Sequence, residues 1–326
     1  MHRLMLFVIL LVSALVGPAA SPAFGSANGV IATVPVGNSP AWLAFDPRNG
    51  DMYVANIFSD DVSVIDGRTR AVVATVALPG GSVCAHPFGV GYVSLTGEIY
   101  VACQQFTTLS VINGRSNAMT GTIGVGSSPF GIAYDPRNRR VYVVNAHNND
   151  VWVIDPRTRA VVDMINVGEA PFGVAYDFRD DRLFVANMQS DTVSVIDAAT
   201  NTLIDSVEVG GAPVGVAWDR RRNAVYVTNF SNGTVSVIDA RTQAHLASVA
   251  VGSFPFGLAY DQRTGDVYVA NFGSNSVSVI DGGRRTVVDT VAVGAAPTGA
   301  AVDQRTGLVY VTNDGSNSVS VIAPGT

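Results

Sequence analysis

The sequence predicts an all-β fold, a seven-bladed β-propeller with four antiparallel strands per blade. Three observations predict it: a Pro-x-Gly triplet at a fixed interval, four strand-length apolar runs in each interval, and an N-terminal run matching the strand the last copy lacks. The triplet stands at Pro87-Phe88-Gly89, Pro129-Phe130-Gly131, Pro171-Phe172-Gly173, Pro213-Val214-Gly215, Pro255-Phe256-Gly257 and Pro297-Thr298-Gly299, 42 residues apart each time. A degenerate first copy, Pro40-Ala41-Trp42, lies 47 residues before the second. Periods of about 40–50 residues mark arrays and propellers.

Within each copy the runs have strand length and β-branched composition. The third copy reads GIAYD (131–135), VYVVN (141–145), VWVID (151–155) and AVVDMINVG (160–168), separated by Asp-, Asn-, Pro- and Arg-Thr-containing turns. Such runs, bounded by turn formers, are strands rather than helices. They carry little polar alternation, so both faces of each sheet should be covered, as in a blade packed between two neighbours. Small residues gather in the first run (Gly131, Ala133; Gly173, Ala175), where a strand nearest a crowded axis needs them. Asp-Pro-Arg and Asp-x-Arg-Thr segments are hairpins, with Asp closing its own turn.

The ends predict closure. The last copy stops after VSVI (319–322), and GVIATVPVG (29–37) matches the absent fourth run, TVVDTVAVG (286–294) of the copy before. The N-terminal strand should complete the C-terminal blade and remove the free edges of an open array.

Residues 1–23 read as a signal peptide. Leu4 to Val16 is apolar except for Ser13, and a small-residue stretch follows, with cleavage expected after Ala23 or else after Ala20 or Ala27. Residues 28–326 then form a single propeller domain. The protein is expected to be exported to the periplasm, cell surface or medium, with no membrane span once the signal is removed. The whole chain has 26 acidic and 20 basic residues, a net charge of −6, and every basic residue is Arg. That balance argues against bulk electrostatic binding of nucleic acid or anionic lipid.

Tyr226-Val227-Thr228-Asn229 and Tyr310-Val311-Thr312-Asn313 spell YVTN, with close variants at Tyr53–Asn56, Tyr142–Asn145, Phe184–Asn187 and Tyr268–Asn271. From about residue 29 to 322 the chain resembles the YVTN-repeat β-propeller family. The resemblance implies the seven-bladed fold and leaves function broad. Relatives of that group include cell-surface and periplasmic propellers, one of which binds single-stranded DNA, and redox-enzyme subunits. More distant propellers include lactonases and a streptogramin lyase.

Blade geometry places the loop before strand one and the loop between strands two and three on one face, here called the top; the other hairpins form the bottom. Cys84 lies in the enlarged top loop 78–87, and Cys103 replaces the signature Asn of the same blade. A disulfide is expected between them; free thiols, or a metal site with His86, are the rival readings. Phe88, Phe130, Phe172 and Phe256, with Val214, Thr298 and Trp42, should encircle the channel mouth, joined by Phe58, Met188, Phe230 and Phe272. They form either an apolar collar that docks a ligand or protein, or fillers of the gaps between blades. His147 with Asp150 could act as an acid/base or metal element. Asn313–Ser318 superficially matches a calcium loop but lacks its closing Glu.

No Gly-x-Ser-x-Gly, His-Glu-x-x-His, phosphate loop or haem-attachment motif occurs. No catalytic residue, resident metal or cofactor is therefore assigned. The function expected is a non-enzymatic binding or scaffold module, monomeric, with an unspecified protein or ligand at the top face. The alternatives are a metal-dependent hydrolase or lyase of the lactonase or streptogramin-lyase type with a top-channel site, and single-stranded nucleic acid binding by stacking.

Overall fold

The computed structural model describes residues 28–79 and 84–325. The expected signal peptide, residues 1–23, lies outside them. Seven four-stranded antiparallel sheets are present among the described residues. Six take strands consecutive in sequence, such as Pro40–Asp46, Asp51–Asn56, Asp61–Asp66 and Ala71–Ala77, ordered from the axis outward. The seventh joins Pro297–Val302, Val309–Asn313 and Ser318–Ala323 to Gly29–Pro35 as its outer strand. Thr33 pairs with Ser320 and Val34 with Val319, so the predicted closure is observed in register.

Burial follows position in the blade. Second strands such as Arg140–Asn145 are buried on both faces beyond their first residue, because each lies between two adjacent sheets. Outer strands such as Ala71–Ala77 alternate between exposed and covered residues, because they form the rim. At the axis the inner strands approach so closely that a Cβ on Gly131 would fall 2.6 Å from the Phe172 carbonyl oxygen of the next blade. Only glycine allows that contact.

Each letter of the repeated Tyr-Val-Thr-Asn has a structural duty. The Tyr53 hydroxyl donates to the Gly114 carbonyl of the next blade at 2.9 Å, and burial pushes that phenol up to about 12. The Thr228 hydroxyl accepts the Gly215 N–H at 2.8 Å and donates to the Phe256 carbonyl of the next blade at 2.6 Å. Thr312 repeats the arrangement with Gly299 and Ala41. Asn229 donates to Thr234 and Ser236, both at 2.9 Å, closing the top hairpin of its own blade. Val225 and Val227 are fully buried in the core between blades. The signature therefore explains blade-to-blade cohesion and leaves function to what varies among copies.

Candidate binding face

Top and bottom faces are assembled from the same repeat and differ in chemistry. At the top centre, Phe88, Phe130, Phe172 and Phe256 are all buried. They do not line an open mouth, nor do they fill separate gaps between blades; their rings converge. Phe88 and Phe172 stand 5.4 Å apart, Phe172 and Phe256 5.5 Å, and Phe130 stacks on Phe172 at 4.3 Å. Val214, Phe230, Phe272, Ile57 and Ala146 join the same apolar cluster. The expected collar is thus a plug, because side chains of this length from several inner strands reach one another across the axis.

Trp42 joins the phenylalanines from the neighbouring repeat position, the glycine position of the triplet Pro40-Ala41-Trp42. Pro40 pairs with Asn56 and Leu43 with Val54, as Pro129 pairs with Asn145 and Ile132 with Val143. Ala41 therefore stands at the phenylalanine position and Trp42 at the glycine position. The indole lies 6.0 Å from Phe88, 6.3 Å from Phe172 and 6.1 Å from Phe256, where it fills central space that the glycines of the other copies leave. It remains half-buried. A cavity of about 60 Å³, lined by Ile132, Val174, Val216 and Leu258 along with the plug, adjoins these rings. Pockets for drug-sized ligands measure roughly 300 Å³ or more.

Around the plug the top loops are polar and held to their neighbours. His86 N–H donates to Asp60 Oδ1 at 2.8 Å, and Ser39 N–H donates to Asn317 Oδ1 at 2.9 Å. The second of these bonds, together with the Ser39 hydroxyl donating to Asp314, draws Asn313–Ser318 into ring closure. Cys84 and Cys103 form the expected disulfide, anchoring the enlarged loop to the end of the second strand. His147 is exposed, whereas Asp150 is buried. The Asp150 carboxylate accepts from Asn145 Nδ2 at 2.9 Å and from Trp152 Nε1 at 3.0 Å, which serves the hairpin. Among the described residues, no three His, Cys, Asp or Glu side chains stand together as a metal site.

Two rings break the surface of this face. Phe58 is 48% exposed and meets His86 edge-on at 5.5 Å. Phe254 is 38% exposed and stacks on Phe230 at 5.0 Å. Phe230 in turn reaches Phe256 at 6.0 Å, so a line of rings runs from Phe254, just before an inner strand, to Trp42.

Charge divides sharply between the faces, a feature hidden in the overall net charge. All nineteen arginines after Arg3 lie in the bottom hairpins or at the strand ends beside them, where sixteen carboxylates accompany them, a net of +3. The top loops and top strand ends carry seven carboxylates and no arginine, a net of −7. Sorting the arginines by hairpin, rather than counting them, is the signal that finds this in the sequence. One of the seven, Asp314, has its carboxyl pushed above the usual range by burial, against the Ser39 hydroxyl bond that lowers it.

The bottom arginines tie blades together. Arg221 donates to the Arg263 carbonyl at 2.7 Å, and Arg179 to the Arg220 carbonyl at 2.7 Å. Arg48 reaches the Ser94 carbonyl in the same way. The Arg159–Glu98 ion pair at 2.8 Å adds to this network, whereas Arg140–Asp155 at 2.7 Å closes two strands of one blade. No helix among the described residues is long and apolar enough to cross a membrane.

Comparison with known proteins agrees with the architecture. A chain of the solved Kuenenia stuttgartiensis hydrazine synthase superposes with a TM-score of 0.79 at 19% identity, over 92% of this chain and 98% of that one. At that identity the likeness is one of fold. No curated protein sequence matches significantly. The sequence profile of the YNCE-like beta-propeller family matches residues 80–322, most of the repeat array. On that match and on its blades, the chain belongs to the YNCE-like beta-propeller family.

Proposed function

We propose that the protein is an exported, non-enzymatic binding module that docks a partner through its top face. One observation carries the reading: the top is where the copies diverge and where Phe58 and Phe254 stand open to solvent. The second hairpin residue after the signature position, open to solvent in nearly every blade, changes from Phe58 to Gln105, His147, Gln189, Ser231, Gly273 and Gly315 around the ring. The bottom hairpins keep Asp-x-Arg in nearly every blade. Repeated positions serve the repeat, so recognition is written where repetition lapses. The leader-like first segment and the Cys84–Cys103 bridge support an oxidising compartment outside the cytoplasm.

The alternatives have weaker support. Stacking on single-stranded nucleic acid needs aromatic and basic groups in one groove. Here Phe58 and Phe254 lie on the acidic face, and on the arginine-bearing face Phe178 is exposed beside Trp218, one ring pair rather than a row of stacking platforms. A hydrolase or lyase site in the top channel needs room that the aromatic plug occupies.

A photo-crosslinking amino acid at position 58 or 254 tests the proposal in the native host. Discrete crosslinked species are expected from both positions and none from position 68 on the bottom. Crosslinking only from position 68, or equally from all three, overturns it.

A further inference from the structure

We infer that the top face docks an arginine- or lysine-rich segment of a protein partner. The inference rests on the docking-face reading above and specifies its chemistry. Two independent features of the face meet in it. The first is apolar: exposed Phe58 and Phe254 and the half-buried indole of Trp42 present ring surface on this face, with buried Phe230 and Phe256 linking Phe254 to Trp42. Ring faces attract guanidinium and ammonium groups, and each such contact contributes roughly 0.5–1 kcal/mol at exposed sites. The second is charge complementarity. Seven carboxylates lie on this face with no arginine or lysine among them, of which Asp150 is buried in its hairpin and Asp314 is held by the Ser39 hydroxyl. Glu169, Asp191 and Glu208 are all exposed on the top edge of a single blade, next in the ring to the blade that bears Phe230.

The carboxylates are spread over several blades, Asp60 and Asp61 in the first and Asp314 in the last. A single small cation cannot reach them all, whereas an extended basic segment can. Its aliphatic stems and cationic heads suit aromatic rings bordered by carboxylates. The arginines of a second copy of this chain lie on its bottom face, interleaved with sixteen carboxylates, and offer a poorer complement than a uniformly basic segment.

Labelled nona-arginine and nona-glutamate peptides, titrated into the full chain, test this by fluorescence anisotropy. Nona-arginine should bind and nona-glutamate should not. Raising salt from 10 to 150 mM should weaken nona-arginine at least about tenfold, since the screening length falls from about 30 to about 8 Å. The triple variant Glu169→Gln/Asp191→Asn/Glu208→Gln should weaken it by about fivefold or more. The matched variant Asp163→Asn/Asp205→Asn/Asp289→Asn, which removes equal charge from the outer strands, should change it less than about twofold. Equal weakening by both triples, or no nona-arginine binding at 10 mM salt, overturns the inference. So does concentration-dependent self-association that the top triple abolishes, which would make a second copy the occupant. If the peptide fails while position 58 still crosslinks a partner, the charge assignment falls and the docking face stands; if both fail, both fall.

Discussion

The two ends of the propeller channel are built from one repeat and have diverged in opposite ways. On the bottom, the same Asp-x-Arg hairpin recurs, and arginines join several blades to their neighbours through backbone carbonyls. On the top, loops held by a common set of hairpin hydrogen bonds carry different residues in every blade, and positive charge is absent. Both faces carry repeated links between blades: arginine side chains below, and above an Asp or Asn that accepts the N–H before the next inner strand, as Asp60 from His86, Asn149 from Ala170 and Asp191 from Ala212. The difference teaches that the top confines its links to one loop position, which leaves the other loop positions free to vary provided the centre is filled.

That centre provides the most direct way to break the comparison. Phe172 belongs to the core although it sits on the variable face, because Phe88, Phe130, Phe256 and Trp42 all lie against it. Phe172→Ala should cost about 3–5 kcal/mol, read from denaturant midpoints at unchanged slope. Phe58→Ala, a few residues from the plug in sequence yet exposed, should stay within about 0.5 kcal/mol of wild type. Equal costs would mean that the top has no distinction between core and surface.

On the bottom, Arg221→Ala removes two bonds to the next blade, to Arg263 and Thr264, from an exposed side chain. A loss of about 1 kcal/mol is expected in the same measurement. A cost as large as that of Phe172→Ala would shift the main burden of blade cohesion from apolar packing to these latches.

The smallest effect should separate the faces by sign. The Asp281 carboxyl on the bottom is held below the usual range, chiefly by the Arg284 backbone N–H, with Gly283 adding a second bond. Its stabilising share is present above the unfolded value of 3.8 and is lost as pH falls through the folded value. Asp314 on the top is raised by burial, so its share is present at low pH and is lost as pH rises from 3.8 through its folded value. Thermal scans across acidic to neutral pH should show Asp281→Asn losing ground to wild type as pH rises and Asp314→Asn gaining it. Parallel curves would sink the contrast.

Much of this architecture was legible in the chain. The interval between Pro-x-Gly triplets counts the blades, and the likeness of residues 29–37 to 286–294 announces the closing strand. Cys103 at an Asn position, beside an enlarged loop, points to the disulfide. Three features went unread, each for a physical reason. A ring of phenylalanines looks identical in sequence whether its side chains stand apart or meet, since that depends on the inner radius of the ring. The triplet Pro40-Ala41-Trp42 already sets Trp42 at the Gly position, as strand pairing bears out, but nothing in the sequence shows that an indole there reaches the central phenylalanines. The polarity between faces is invisible to net charge, because hairpins of opposite ends alternate along the chain.

The closing strand has a consequence for biosynthesis. Pro35 finds its partner at Ser318, so almost every blade is made before the first strand can be used. At roughly 5–20 residues per second, that segment waits for about 15 to 60 seconds with Val30 and Ile31 unpaired. During that wait it can engage any open sheet edge nearby, including that of a sister polypeptide on the same message. Crowded expression should therefore yield interlocked chains, each lending its leading strand to another, before it yields misfolded blades.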